Sequence, residues 1–513
     1  MGFWGPNGHD GVWHIALIES LSRLNFNIPV FAGEALKNYH IGFDFLLALI
    51  HKISFIPVSI LYFQVIPPIL AILIGLLTYK FVYIWTKSKT ASMWSMFFVY
   101  FGGSLGWILG KGESTFWSQQ AISTLINPPF ALSIVIFLLA LISLQKEKKF
   151  LSLLLFGILI SIKSYAGALA LGGLLVSGIY DYLRNRETKI IQVFIGSLLI
   201  SILLYLPLNR NASALLVWQP FWFLETMMGL TDRLGWLKFA SAMATYKSGH
   251  IWIKGIPAYI VAFVIFWIGN MGTRLVKEIL VIKWIKNLKS ITWVEVFLSS
   301  VIVAGGAIPM FFLQEGTPWN TIQFFYYSLF FSSILAGIAM LEIKNKLLIT
   351  FIVLATIPTT IVTLKEAYIP SRPPAKISLL ELDALKFLSQ QDEGVVLTYP
   401  FDRAAAKNAE SNPPRPLYLY ESTAYVSAFS KHETFLEDEV NLDITGYDWK
   451  ARRSQLEDWY KETDQVNARQ FLSSNNIKYV YWIDNQRAYL GESQLNLKII
   501  FENSEVRVYK TNY

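Results

Sequence analysis

The chain has no cysteine among its 513 residues, which excludes disulfides, thiolate nucleophiles and zinc–thiolate sites. Charge is also scarce: Asp, Glu, Lys and Arg make up 16%, well below the ~25% usual in soluble domains. There is no phosphate-cradling glycine loop, no nucleophile elbow and no metal-ligand spacing in the polar C-terminal third. No basic stripe interleaved with aromatics points to a nucleic-acid partner, and no internal repeat suggests a solenoid or a duplicated transporter.

What the chain has instead is apolar length. Hydrophobic residues reach 54% and the mean hydropathy is +0.42. Repeated runs approach the ~20 residues that cross a bilayer. The fold class is therefore an α-helical polytopic membrane protein of about ten spans with a C-terminal extracytoplasmic α/β domain. The spans fall near 57–85, 91–110, 128–144, 150–164, 166–180, 190–208, 256–272, 292–313, 322–341 and 347–364. The division of 150–180 turns at Lys163-Ser164-Tyr165.

The charge is uneven. Residues 370–513 hold 17 basic and 21 acidic residues of the chain's 44 and 36, so the surplus of positive charge belongs to the membrane part. It sits in short alternate loops: Thr86–Lys89, Gln145–Lys149, Arg184–Arg186, Arg274–Lys289 and Lys344–Lys346. The positive-inside rule makes those loops cytoplasmic. Residues 1–56, 111–127, 209–255, 314–321 and everything after 365 then lie outside. An even span count puts both termini outside with no signal peptide ahead of residue 56, so one further span is expected before Met1.

Four segments follow: 1–56, a first outer loop with two juxtamembrane helices; 57–364, the transmembrane part; 365–376, a linker stiffened by Pro370, Pro373 and Pro374; and 377–513, an α/β domain. In the last, 377–390, 449–460 and 466–473 have helical periodicity, 394–400 and 478–483 read as strands, and 498–502 with 505–509 as a closing hairpin.

The chemistry-bearing residues gather in the outer segments. Asp10 and His14 are four apart, hence on one face of a helix, expected to be amphipathic and to lie at the membrane surface. Asp10 is either a general base for an acceptor hydroxyl or amine, with His14 beside a donor phosphate, or simply an acid favoured at a helix N-terminus. His40, Asp44 and His51 form a stripe at i, i+4 and i+11 that faces water or lines a cavity. His9, Asp10 and His14, with His40 and Asp44, are candidate ligands of a divalent cation, Mg²⁺ or Mn²⁺. Glu113, Arg210, Asp232, Arg233, His250, Lys254, Glu315 and Arg372 complete the outer candidates. Arg210 and Arg372 suit a lipid phosphate, or snorkel to the interface. Trp218, Trp222, Trp236 and Trp252 stack on sugars or form an interfacial belt, the belt being the simpler reading.

With Asp10-Gly11-Val12-Trp13-His14 beyond the membrane and a second helix at Asn38–His51, the chain resembles the GT-C superfamily of polytopic glycosyltransferases. Asn38-Tyr39-His40 and Trp319–Phe324 also look like segments of bacterial GT-C-like membrane proteins. The resemblance implies transfer of a sugar from a polyprenyl-phosphate or diphosphate carrier to an envelope glycan, lipid or protein on the outer face. Asp10 would orient or deprotonate the acceptor, and His40, Asp44, Glu113, Arg210 and Arg372 would contact substrate. Asp10 departs from the family pattern in lacking a paired acid, its neighbours being His9 and Gly11. A polytopic transporter or flippase, or a non-catalytic envelope protein, is the alternative reading.

Overall fold

A computed structural model of the chain describes residues 10–117, 127–209, 216–314, 317–365, 369, 375–484 and 497–512. The chain forms two compact units. One comprises Pro67–Pro207 and Ser213–Ile369; the other comprises Met1–Ile66, Leu208–Ala212 and Pro370–Tyr513.

Among the described residues, eight helices are long and apolar enough to cross a membrane, and two shorter apolar helices, Lys149–Ile162 and Lys189–Tyr205, join them. They coincide with the ten segments that hydropathy predicts. The helix running through 150–180 is interrupted where expected: Lys163 is extended (φ −154°, ψ 111°) between Lys149–Ile162 and Ser164–Asn185.

Burial sorts the helices of the first unit. The apolar window of Pro318–Glu342 is 89% buried and that of Lys346–Thr363 only 22%. The first is therefore central, and the second turns Leu347, Phe351 and Leu354 outward, as lipid-facing helices do. Contacts between helices use small residues, because lipid supplies no hydrophobic drive and close backbone approach must. A Cβ on Gly337 would lie 2.1 Å from Ser95 N, so the helices Ile322–Ala339 and Lys89–Phe101 touch backbone to backbone there.

The structure refines two sequence readings in this unit. The span predicted to run to residue 110 ends its α-helix at Phe101, before Gly102-Gly103, and continues as the 3₁₀ turns Gly106–Leu109 and Glu113–Phe116. Arg274, assigned to a cytoplasmic loop, is fully buried. The Trp252–Met271 helix gives way to a 3₁₀ segment, Gly272–Lys277, before Glu278–Lys286. Arg274 there donates to the carbonyls of Met271 (3.0 Å) and Asn270 (2.7 Å) and interacts electrostatically with Glu113.

The other unit is centred on a four-stranded sheet in the order Val395–Leu397, Ile477–Ile483, Val506–Lys510, Lys498–Glu502. The first pair is parallel and the others antiparallel. The Leu379–Leu388 helix starts in a capping box, Ser378 Oγ accepting from Glu381 N at 3.0 Å. The N-terminal residues are stitched into the same unit. Thr434 N donates to Pro29 O (2.8 Å), Ala32 N to Thr434 O (2.9 Å) and Glu437 N to Val30 O (2.9 Å). The Arg452 guanidinium lies 3.6 Å over the Phe31 ring.

Candidate active site

The Asp10–Ser22 helix is not the amphipathic surface helix that its spacing suggested: every residue from Gly11 to Leu21 is buried. It has apolar residues all round, which is what a buried helix needs, and it packs on Gly42–Ser54 and on Tyr425–Ser430. Gly11 is small for a reason: a Cβ there would meet the Phe63 ring at 2.9 Å and the Tyr62 ring at 3.2 Å.

Asp10 opens this helix, half-buried, and His14 follows one turn later at 4% exposure. His14 pairs with Asp44, its Nδ1 lying 2.7 Å from Asp44 Oδ1. Asp44 is wholly buried in the first turn of Gly42–Ser54, where the helix N-terminus favours a carboxylate. With Nδ1 engaged, Nε2 is the nitrogen left for chemistry, and the carboxylate fixes ring orientation and tautomer.

Aromatic rings enclose the pair. Tyr62 stacks on His14 (5.6 Å, 22°), Phe43 meets it edge-on (5.8 Å) and Tyr39 lies tilted at 6.3 Å. Burial pushes the Tyr39 hydroxyl well above its ordinary range, and the charges of Asp44, Asp10 and Asp438 push it further. Tyr39 therefore stays a neutral hydroxyl.

His40 precedes the Gly42–Ser54 helix, with its ring 4.7 Å from that of Tyr39. His51, near the other end, donates through Nδ1 to Ile56 O at 2.7 Å. His40 lies ahead of the helix, whereas Asp44 and His51, seven apart within it, keep one face of the expected stripe. Glu113 is buried in the other unit with Arg274. Arg233 lies 3.4 Å from Asp232 and over the Trp117 ring at 4.1 Å; His250 and Lys254 are exposed. His9, Arg210, Glu315 and Arg372 lie outside the described residues.

Among the described residues no group of three or more His, Asp or Glu is placed to hold a metal ion. His9, one of the expected Mg²⁺ or Mn²⁺ ligands, lies outside the residues this covers. Sequence reasoning missed Tyr39, Tyr62 and Asp438. Tyr39 adjoins a singled-out histidine, whereas Tyr62, inside an apolar run, gave no signal.

No family model and no curated protein matches the chain. Among solved structures it is similar to the oligosaccharyltransferase of Archaeoglobus fulgidus. The apo form has a TM-score of 0.48 at 13% identity, covering 94% of this chain and 66% of that one. The form tethered to an acceptor peptide containing an NVT sequon gives 0.47 at 11%, covering 94% and 65%. The enzyme AglB in complex with an inhibitory peptide and a dolichol-phosphate gives 0.46 at 13%, covering 94% and 66%. That protein is a polytopic membrane glycosyltransferase of the GT-C superfamily. The chain spans just under two thirds of the length of these structures.

Proposed function

We propose that the chain is a GT-C-type glycosyltransferase that moves a sugar from a polyprenyl-phosphate or diphosphate carrier to an envelope acceptor on the outer face of the membrane. The observation that carries this reading is the buried Asp44–His14 pair, walled by Tyr62 and Tyr39, with Asp10 one helical turn from the imidazole. An oriented imidazole and a second carboxylate serve general acid–base chemistry, and a chain rich in apolar spans suits a lipid-borne substrate.

In this reading the acceptor hydroxyl or amine gives its proton to the Asp10 carboxylate while its heteroatom bonds to the anomeric carbon. The bond from that carbon to the phosphate oxygen breaks, and the electron pair leaves on the lipid phosphate. His14 sits beside that phosphate, its ring oriented by Asp44. Asp44 is a positioning residue that acts through His14. His40 borders the substrate through Tyr39, and Arg210 and Arg372 are the phosphate partners. Glu113 is left out of the mechanism because Arg274 already engages it.

The test is sugar transfer from a polyprenyl-phosphate-linked donor pool in membranes holding the full chain. Asp10→Asn, expressed and folded at the level of the unaltered chain, is expected to abolish transfer. Equal transfer by the two would remove Asp10 from the mechanism.

A further inference from the structure

The Val395–Leu397 strand leads, at its carboxyl end, into a cavity of ≈ 30 Å³, where open α/β sheets usually take ligands. Four tyrosines line it: Tyr399, Tyr418, Tyr420 and Tyr425. Four carboxyl groups do too, those of Glu421, Glu437, Asp438 and Glu439, and no Lys or Arg is among the described residues of the lining.

Most of these acids have work inside the fold. Glu437 accepts from Val426 N (3.0 Å), Ser427 N (2.9 Å) and Ser427 Oγ (2.9 Å). Glu439 is bridged by Arg453, and Asp438 Oδ1 caps Asn441 N at 3.0 Å. Glu421 is different: it faces Arg403 at 3.5 Å, and that side chain is 85% exposed. Its charge is thus largely open to another cation.

A second, independent feature points the same way. Thr423 lines the cavity at 6% exposure, and its Oγ1 is buried with no hydrogen-bond partner among the described residues. A buried hydroxyl left unpaired costs free energy that a ligand N–H would recover. The rings here also accept cations: the Arg415 guanidinium lies 3.6 Å over Tyr420.

We propose that this cavity binds a primary ammonium group, with Thr423 Oγ1 and Glu421 accepting its N–H bonds and tyrosine faces around the charge. The space has room for about two waters, which admits the –CH₂–NH₃⁺ tip of a ligand and leaves its body outside. A lysine side chain ends in that tip; an amino sugar presents the same primary ammonium on a ring CH. Asp438, whose charge reaches Tyr39, is part of this lining, and binding alone tests the site.

The experiment is saturation-transfer NMR on the full chain in lipid nanodiscs, with n-butylammonium as probe and n-butanol as its neutral match. Saturable binding of the ammonium without comparable binding of the alcohol is expected. Glu421→Gln and Thr423→Val should each weaken it about tenfold, the scale of one charge-assisted hydrogen bond. Thr423→Val should leave the melting temperature unchanged or raised, since it removes an unpaired hydroxyl, so weaker binding by a folded variant marks the site. Displacement of the probe by glucosamine but not glucose assigns an amino sugar; displacement by lysine amide assigns a peptide side chain. Equal binding of n-butanol, unaltered binding in both variants, or no displacement by either amine would overturn the proposal.

Discussion

Asp44 shows what one buried carboxylate can decide. It holds His14 Nδ1 at 2.7 Å with no exposure of its own, so its removal should act through the imidazole rather than on substrate directly. Asp44→Asn keeps the shape but offers the ring an amide, and a wrong tautomer in a comparable Asp–His pair costs about 10⁴ in rate. Transfer is expected to fall by about 10²–10⁴ with the pH–rate profile displaced. An unchanged profile with only a lower melting temperature would make the pair structural. Glu437 makes a second residue-scale prediction. Burial pushes its carboxyl up to about 7 from the ordinary 4.5, against the pull of the Ser427, Val426 and Thr434 donors. The fold therefore favours the neutral acid. That contribution is complete below pH 4.5 and is lost as pH rises through 7, on the order of 3 kcal/mol in all. Glu437→Gln, neutral at every pH, should show a smaller difference in melting temperature between pH 5 and pH 8 than the unaltered chain. Neighbouring Glu421, Asp438, Glu439 and Arg453 are present in both proteins, so the difference between them reports Glu437.

Among the elements, the contact of Ile322–Ala339 with Lys89–Phe101 is the most exacting. Backbone cannot yield as a side-chain tip can, and the Cβ of Gly337→Ala would fall 2.1 Å from Ser95 N and 2.2 Å from its Cα. Overpacking of this kind costs about 1–3 kcal/mol. Gly75→Ala meets the hydroxyl end of Tyr100 instead, also at 2.1 Å, and that ring can swing away. Thermal unfolding in detergent should therefore drop clearly for Gly337→Ala and less for Gly75→Ala; equal drops would show that the two contacts yield alike. The elements also show why hydropathy succeeded and where it did not. A run of apolar residues makes a helix in lipid whatever it touches, because its backbone must be satisfied internally. Hence all ten segments appear, down to the break at Lys163. The burial of Arg274 was not legible for the converse reason: a charge in a window says nothing about a distant Glu113 that makes its burial tolerable.

For the whole molecule, the absence of cysteine becomes an experimental convenience. A single Cys at Ser411 should react with a membrane-impermeant maleimide in intact cells, whereas one at Lys148, in a basic loop, should react only after permeabilisation. Labelling at Lys148 but not at Ser411 in intact cells would invert the proposed topology, and labelling of both would overturn it. Both positions are exposed, so access reports the side of the membrane. The sequence by itself did not determine the helices Arg403–Glu410, Tyr425–Ser430 and Glu439–Thr445. It did determine the membrane class, the apolar helical segments, the helices near 377–390, 449–460 and 466–473 with the strands near 394–400, 478–483, 498–502 and 505–509, and the candidacy of Asp10, His14 and Asp44. These are local properties, set by the period and polarity of short windows. Tertiary structure alone decided that His14 pairs with Asp44, that Tyr62 and Tyr39 wall the pair, and that the first sixty-six residues fold with the last hundred and forty-four. Such pairings depend on which distant segments bury each other's polar groups, as Pro29 and Thr434 do, and no single window of sequence contains both partners.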